Sequence, residues 1–197
     1  MIDEKLIKIQ SNTLEVSRGD ILVAEPFLND SYFERGVVLM IDHSDKDGSF
    51  GIMLNKRLRL SIHEIVKNFP QFDADVFLGG PVNTDQVFFI HTIGSLVPRS
   101  IDIGNGLFWG GNLYALKPMI QSEMIEPHQV KFFLGHSGWE ATQLREELKL
   151  NSWVVAKNIK GKDIMTTKPE MMWSKYANIA SENHRLWSTF PIDPTEN

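Results

Sequence analysis

The stretch Val130-Lys131-Phe132-Phe133-Leu134-Gly135-His136-Ser137-Gly138-Trp139, followed at once by Glu140, carries the choice of fold. Residues 130–134 are apolar and partly aromatic and read as a buried strand. Ser137 and Glu140 stand three apart, the spacing of a capping box, in which a hydroxyl and a carboxylate satisfy the free N–H groups of a first helical turn. The spacing therefore predicts a strand that enters a helix over residues 139–148, with Ala141, Leu144 and Leu148 on its core stripe and Gln143, Glu146 and Glu147 in water.

A similar alternation extends outward in both directions. Residues 21–24 read as a short buried strand ended by Pro26. Residues 36–42 are β-branched and apolar, an Asp47-Gly48 turn follows, and residues 50–55 return, so 36–55 reads as a hairpin. Residues 61–68 read as a short helix capped by Ser61 with Glu64. Residues 75–78 form a strand that runs into Gly79-Gly80-Pro81, and residues 86–91 are expected to pair with it. Residues 94–112 read as loop with a short strand, and 113–124 as a helix weakened by Pro118. Residues 152–156 read as a strand and 169–180 as a last helix.

Hairpins mixed with strand-to-helix steps do not make a regular parallel alternation. The expected fold class is α+β: one domain over residues 19–180, with a mixed, mostly antiparallel sheet flanked by helices. Residues 1–18 read as a polar leader and 181–197 as a mobile tail.

Composition narrows the function. The 197 residues carry a formal charge of −5, so a long basic footprint for nucleic acid is not expected. Lys56, Arg57 and Arg59, and Lys157, Lys160 and Lys162, are short basic clusters that read as solvated surface. The chain has no cysteine, which excludes disulfides and thiol nucleophiles. The start Met-Ile-Asp-Glu-Lys-Leu is not a signal sequence, and no apolar run approaches the roughly 20 residues of a membrane helix. A cytoplasmic protein without membrane contact is expected.

Each catalytic template fails at a named residue. Gly135-x-Ser137 imitates a nucleophile elbow, but Trp139 stands where the last glycine belongs. His63-Glu64 would need a histidine at position 67, which is Lys67. Asp45-x-Asp47-Gly48 imitates a calcium loop with His43 and Leu54 at the wrong ends. Gly104-Asn105-Gly106 lacks the third glycine of a dinucleotide loop. No cofactor and no metal are expected.

What remains is a set of polar and glycine positions at strand ends. Gly79 and Gly80 read as a tight turn with a close backbone crossing, or as N–H groups turned to an anion. Arg35 and Asn55 flank the hairpin. Gly135, His136 and Trp139 mark the supposed helix entrance, with Trp139 covering a core edge. These seven residues are the candidate ligand-binding set.

The segments Phe33-Glu34-Arg35-Gly36-Val37-Val38-Leu39, Gly51-Ile52-Met53-Leu54-Asn55-Lys56, Leu78-Gly79-Gly80-Pro81-Val82, Ile90-His91-Thr92 and Gly135-His136-Ser137-Gly138-Trp139, with Gln143-Leu144 and Glu147, share order and spacing with a known group. From about residue 20 to residue 156 the chain resembles the AlgH/YqgE family of bacterial proteins. The resemblance implies a compact α+β fold with a barrel-like mixed sheet. It implies no known reaction: the family's transcriptional-regulator label comes through a link to alginate control, not from chemistry. Where the family often has alanine this chain has Ser137, which speaks against a serine nucleophile. Two readings stay open: a non-catalytic regulator or interaction module with a protein partner, and a protein with a small anionic ligand, an enzyme included, at the two glycine-marked segments.

Overall fold

A computed structural model describes residues 15–180. The supposed leader and tail lie outside these residues except for 15–18, where Val16 is buried against the core.

Nine strands form one sheet. They are β1 (Ile21–Ala24), β2 (Val37–Ser44), β3 (Gly48–Met53), β4 (Val76–Leu78), β5 (Val82–His91), β6 (Ile101–Gly104), β7 (Leu107–Trp109), β8 (Val130–Trp139) and β9 (Trp153–Ala156). The helices are α1 (Ile62–Ile65), α2 (Leu116–Gln121), α3 (Gln143–Lys149), α4 (Gly161–Thr166) and α5 (Pro169–Ala180). The hydrogen-bonded path runs β6-β7-β5-β8-β3-β2-β1-β9, with β4 also on β8. Every pair is antiparallel except β4 with β8. The expected mixed, mostly antiparallel sheet flanked by helices is present, and it stays open, since β6 and β9 do not pair.

The centre of the sheet is buried on both faces, which explains why β1, β9 and the first five residues of β2 are apolar throughout. Ile21 and Val23 point into one cluster with Met172, Trp173 and Tyr176 of α5. Leu22 and Ala24 point into another with Leu144 and Leu148 of α3. A third cluster lies between the β4–β5–β8 region and α1 and α2, centred on Ile62, Phe89, Leu116 and Phe132. Pro118 is accommodated because it lies in the first turn of α2, where its missing N–H has no partner to lose.

Three expectations are corrected. First, the stretch 130–139 does not enter a helix. β8 continues through it, with Gly51↔Ser137, Phe50↔Gly138 and Ser49↔Trp139 in register with β3. α3 starts only at Gln143, and Ala141 is exposed. A helix cap is worth about 1 kcal/mol. Leaving several buried backbone groups of β3 and β8 unpaired would cost about 1–3 kcal/mol each, so the ladder wins. Second, the Ser137 hydroxyl is no cap: it is fully buried and donates to the Gly79 carbonyl at 3.0 Å.

Third, β5 does not pair with β4. Residues Phe132, Phe133 and Leu134 pair with β4 along one edge and with β5 along the other. The chain must therefore pass over β8 between Leu78 and Val82, and it does so at Gly79-Gly80-Pro81. A side chain on Gly79 would run into the Gly135 carbonyl, and one on Gly80 into the His136 main chain. A Cβ on Gly135 would stand 2.5 Å from the Gly80 carbonyl oxygen, and Gly135 has φ of +70°. Main chain crosses main chain with no room for a methyl group.

Gly79→Ala and Gly135→Ala are each expected to destabilise the protein by about 3 kcal/mol or more, beyond the usual cost of a substitution. Urea unfolding measures this. A loss under about 1 kcal/mol at both positions would contradict the crossing.

Candidate functional site

The seven candidate residues fall into three separate arrangements. Gly79, Gly80, Gly135 and His136 meet at the crossing. The Gly79 N–H is not turned to a ligand: it donates to Leu134 O at 2.8 Å. Its carbonyl accepts from the Met53 N–H at 2.8 Å and from the Ser137 hydroxyl. The supposed anion cradle therefore loses the Gly79 amide, and its helix entrance is strand.

Arg35 and Asn55 form a clasp between the start of β2 and the end of β3. Asn55 Oδ1 accepts from the Val37 N–H at 3.0 Å, and Nδ2 donates to Arg35 O at 2.9 Å. Lys56 Nζ donates to Glu34 O at 2.7 Å. Arg35 takes φ of +47° there, and its guanidinium lies 4.5 Å from the ring of Trp173 on α5. Trp173 in turn donates its indole N–H to Ala24 O at 2.8 Å. Side chains that resemble strand-end ligand groups hold one strand pair to the last helix.

Trp139 covers a core edge as expected, and its polar end has a partner that helical spacing alone places in water. Glu147 Oε2 accepts from the indole N–H of Trp139 at 2.8 Å and of Trp153 at 2.7 Å. Gln143 Nε2 donates to Glu147 Oε1 at 2.9 Å. Phe33 packs on both indoles, with centroids 6.4 Å from Trp139 and 5.4 Å from Trp153. Glu147 is half-buried because two indole N–H groups, buried on one side, need an acceptor. The available signal is the tryptophan pair itself: each buried indole demands an acceptor, and Glu147 lies between them in sequence.

His136 is the candidate that leads to a surface. The left-handed turn at Gly135 resets the alternation of β8, so His136 shares a face with Phe50 of β3, Phe88 of β5 and Trp109 of β7. The imidazole stands edge-on to Phe50 at 4.8 Å and to Phe88 at 5.6 Å. Trp109 stacks on Phe88 at 5.5 Å and meets Phe50 edge-on at 5.1 Å. All four are partly buried, and Phe50, Phe88 and Trp109 also pack against the core. Gly138, next on this side, is exposed and puts no side chain beside the imidazole, and residues 82–86 of β5 are exposed along the border. Sequence reading misses Phe50, Phe88 and Trp109, because they come from three strands with no local motif in common. Such a face accepts a planar or apolar group; edge-to-face aromatic pairs are worth about 0.5–1.5 kcal/mol each beyond their buried area.

The surroundings of two histidines disfavour the charged form. His91 is fully buried between the rings of Phe89 and Phe108, each 5.6 Å away, and its Nε2 meets Gly110 O at 3.2 Å. Burial lowers its pKa, with the Gly110 contact opposing in smaller measure. Burial also lowers the pKa of His136. Among the described residues, the Nδ1 atoms of both are buried without a hydrogen-bond partner. Among the described residues no group of three or more His, Asp or Glu could hold a metal, and no helix is long and apolar enough to cross a membrane.

Comparison with known proteins agrees with this architecture. A family model described as AlgH-like matches residues 21–184. A UPF0301 protein of Bacteroides thetaiotaomicron is 39% identical over 197 residues, covering 100% of this chain and 99% of that protein. One from Cytophaga hutchinsonii is 39% identical over 183 residues, covering 92% and 100%. Among solved structures, a protein of Corynebacterium diphtheriae matches with a TM-score of 0.74 at 25% identity, over 96% of this chain and 100% of that one. The AlgH protein from Pseudomonas aeruginosa matches with a TM-score of 0.67 at 26% identity, over 88% and 94%.

The histidines set a pH dependence. Above about pH 6.5 both rings are neutral folded and unfolded, and their contribution is constant. As the pH falls through that value the unfolded chain takes up protons that the folded one resists, so stability drops until the lowered folded pKa is reached. Urea unfolding between about pH 7 and 5 is expected to show this slope, and His91→Phe with His136→Phe to flatten it. An unchanged slope in the double variant would assign the effect to other groups.

Proposed function

This chain belongs to the AlgH-like family, and we propose that it acts by binding a protein partner through the aromatic face around His136, without catalysing a reaction. The observation that carries this reading is the partly exposed set Phe50, Phe88, Trp109 and His136, gathered from four strands and with no side chain beside it at Gly138. Aromatic side chains fixed on a rigid sheet are the anchors that dominate protein interfaces, since they bury large areas at little entropic cost. The remaining signature residues support the reading from the other side. Ser137 is bonded to Gly79, Asn55 to the start of β2 and Glu147 to two tryptophans, and they are not arranged as nucleophile, base and acid.

Acting through a partner, such a protein could regulate without direct contact to DNA. A chain of formal charge −5 is repelled by phosphate, whereas an acidic protein with an aromatic patch can reach gene expression through another protein.

The test places a photoreactive phenylalanine analogue at position 109 and, as control, at Leu150, which is 77% exposed at the end of α3. Illumination in cells of the source organism is expected to give a discrete adduct from position 109 and none from 150. Equal yields, or none from 109, would end this reading. Labelled duplex DNA is expected to show no retention at about 50 mM salt, where phosphate contacts are strong. Retention that fades with salt would replace the protein partner by DNA.

A further inference from the structure

The aromatic face does not end at its four rings. Ile101 of β6 lies opposite Trp109 in its ladder, and Val82 of β5 lies opposite His136. Directly opposed residues share one side of a sheet. Both are exposed, Ile101 at 51% and Val82 at 39%. An apolar strip therefore runs from Ile101 through Trp109, Phe88 and Phe50 to His136 and Val82. Single exposed apolar residues are ordinary on a surface, whereas a contiguous strip marks a place of contact.

The free charges bordering this strip have one sign. Histidines aside, the ionisable side chains of β3, β5, β6, β7 and β8 are Asp85, Asp102 and Lys131. Lys131 is buried, while Asp85, beyond Val82 on β5, and Glu140, directly after β8, are exposed. Neither carboxylate has an ion pair among the described residues. Asp42, opposite Phe50, is bonded to Arg18 at 2.8 Å, and that pair adds no net charge. Burial disfavours protonation of His136, so the imidazole brings no positive charge to the strip. Carboxylates beside an apolar face turn away acidic segments and draw basic ones. The π-face of a tryptophan attracts cations as well. A guanidinium suits such a ring better than an ammonium, because it is planar and weakly hydrated. The fold itself contains this pairing, with Arg35 at 4.5 Å over Trp173.

We propose that the segment bound by this strip is an apolar, basic stretch of a partner protein that lays an arginine on the ring of Trp109. Its apolar side chains cover Ile101, Phe88 and Val82, and Asp85 and Glu140 hold its positive charge to the border. This rests on the reading that the strip binds a protein, and adds the chemistry of what is bound.

The experiment titrates isotope-labelled full-length protein with the peptide acetyl-Leu-Arg-Leu-Arg-Leu-amide and with counterparts carrying lysine or glutamate in place of arginine, followed by nuclear magnetic resonance. The arginine peptide is expected to shift the Trp109 indole and the Gly138 amide and to bind about threefold more tightly than the lysine peptide. The glutamate peptide is expected to bind at least about tenfold more weakly. Asp85→Asn with Glu140→Gln is expected to weaken the arginine peptide about fivefold at low salt with the circular dichroism unchanged. Trp109→Leu is expected to remove the preference for arginine over lysine. Equal binding of the glutamate peptide, shifts confined to other surfaces, or no shift with any peptide would overturn the proposal. Crosslinking from position 109 separates it from the reading beneath it. An adduct on an acidic peptide overturns the basic segment and keeps the protein partner, whereas no adduct removes the partner itself. An adduct on residues 181–197 of this chain, or on a second copy, overturns the outside partner.

Discussion

One close approach organises this protein: the main chain at Gly79-Gly80 lies directly on the main chain at Gly135-His136. It follows from topology. β4 and β5 are consecutive in sequence but occupy opposite edges of β8, so the link between them must climb over that strand. A short link can do this only at main-chain contact distance, and only glycine on both layers permits such contact. The Gly79 carbonyl then serves as a common acceptor for Met53 and Ser137, tying β3, β4 and β8 at one point.

The same constraint explains why the most recognisable motifs are not arranged as an active site. Gly-Gly-Pro and Gly-His-Ser-Gly-Trp are the two layers of one crossing. The Asn55 clasp and the Glu147 bridge to two indoles hold the sheet and helices that surround it. Signature residues bonded to one another specify a scaffold. Function is then sought in what the scaffold leaves unbonded, and the aromatic face at His136, beside Gly138, meets that description.

Much of the architecture is legible in the amino-acid sequence. The runs at 21–24, 36–42 and 152–156 are apolar at nearly every position because both sheet faces are covered, and the Asp47-Gly48 turn closes its hairpin as read. The close crossing at Gly79-Gly80 is legible too, since two adjacent glycines after a strand have few other uses. The strand through residues 135–139 is not. Ser137 and Glu140 carry a valid local helix signal, and only pairing with β3 outweighs it. Glu147 reads as solvated because nothing within one turn of it reveals that Trp139 and Trp153 converge there.

By itself, then, the sequence determined the elements, their apolar faces, the α+β class and the family resemblance, since these depend on periodicity and on glycine at set positions. The tertiary structure decided which edge of β8 each neighbour takes, and hence that the chain must cross itself. It also decided which side chains meet across strands: Phe50, Phe88 and Trp109 around His136. Contacts between residues far apart in sequence leave no local pattern. They exist only once the backbone hydrogen bonds have settled the order of the strands.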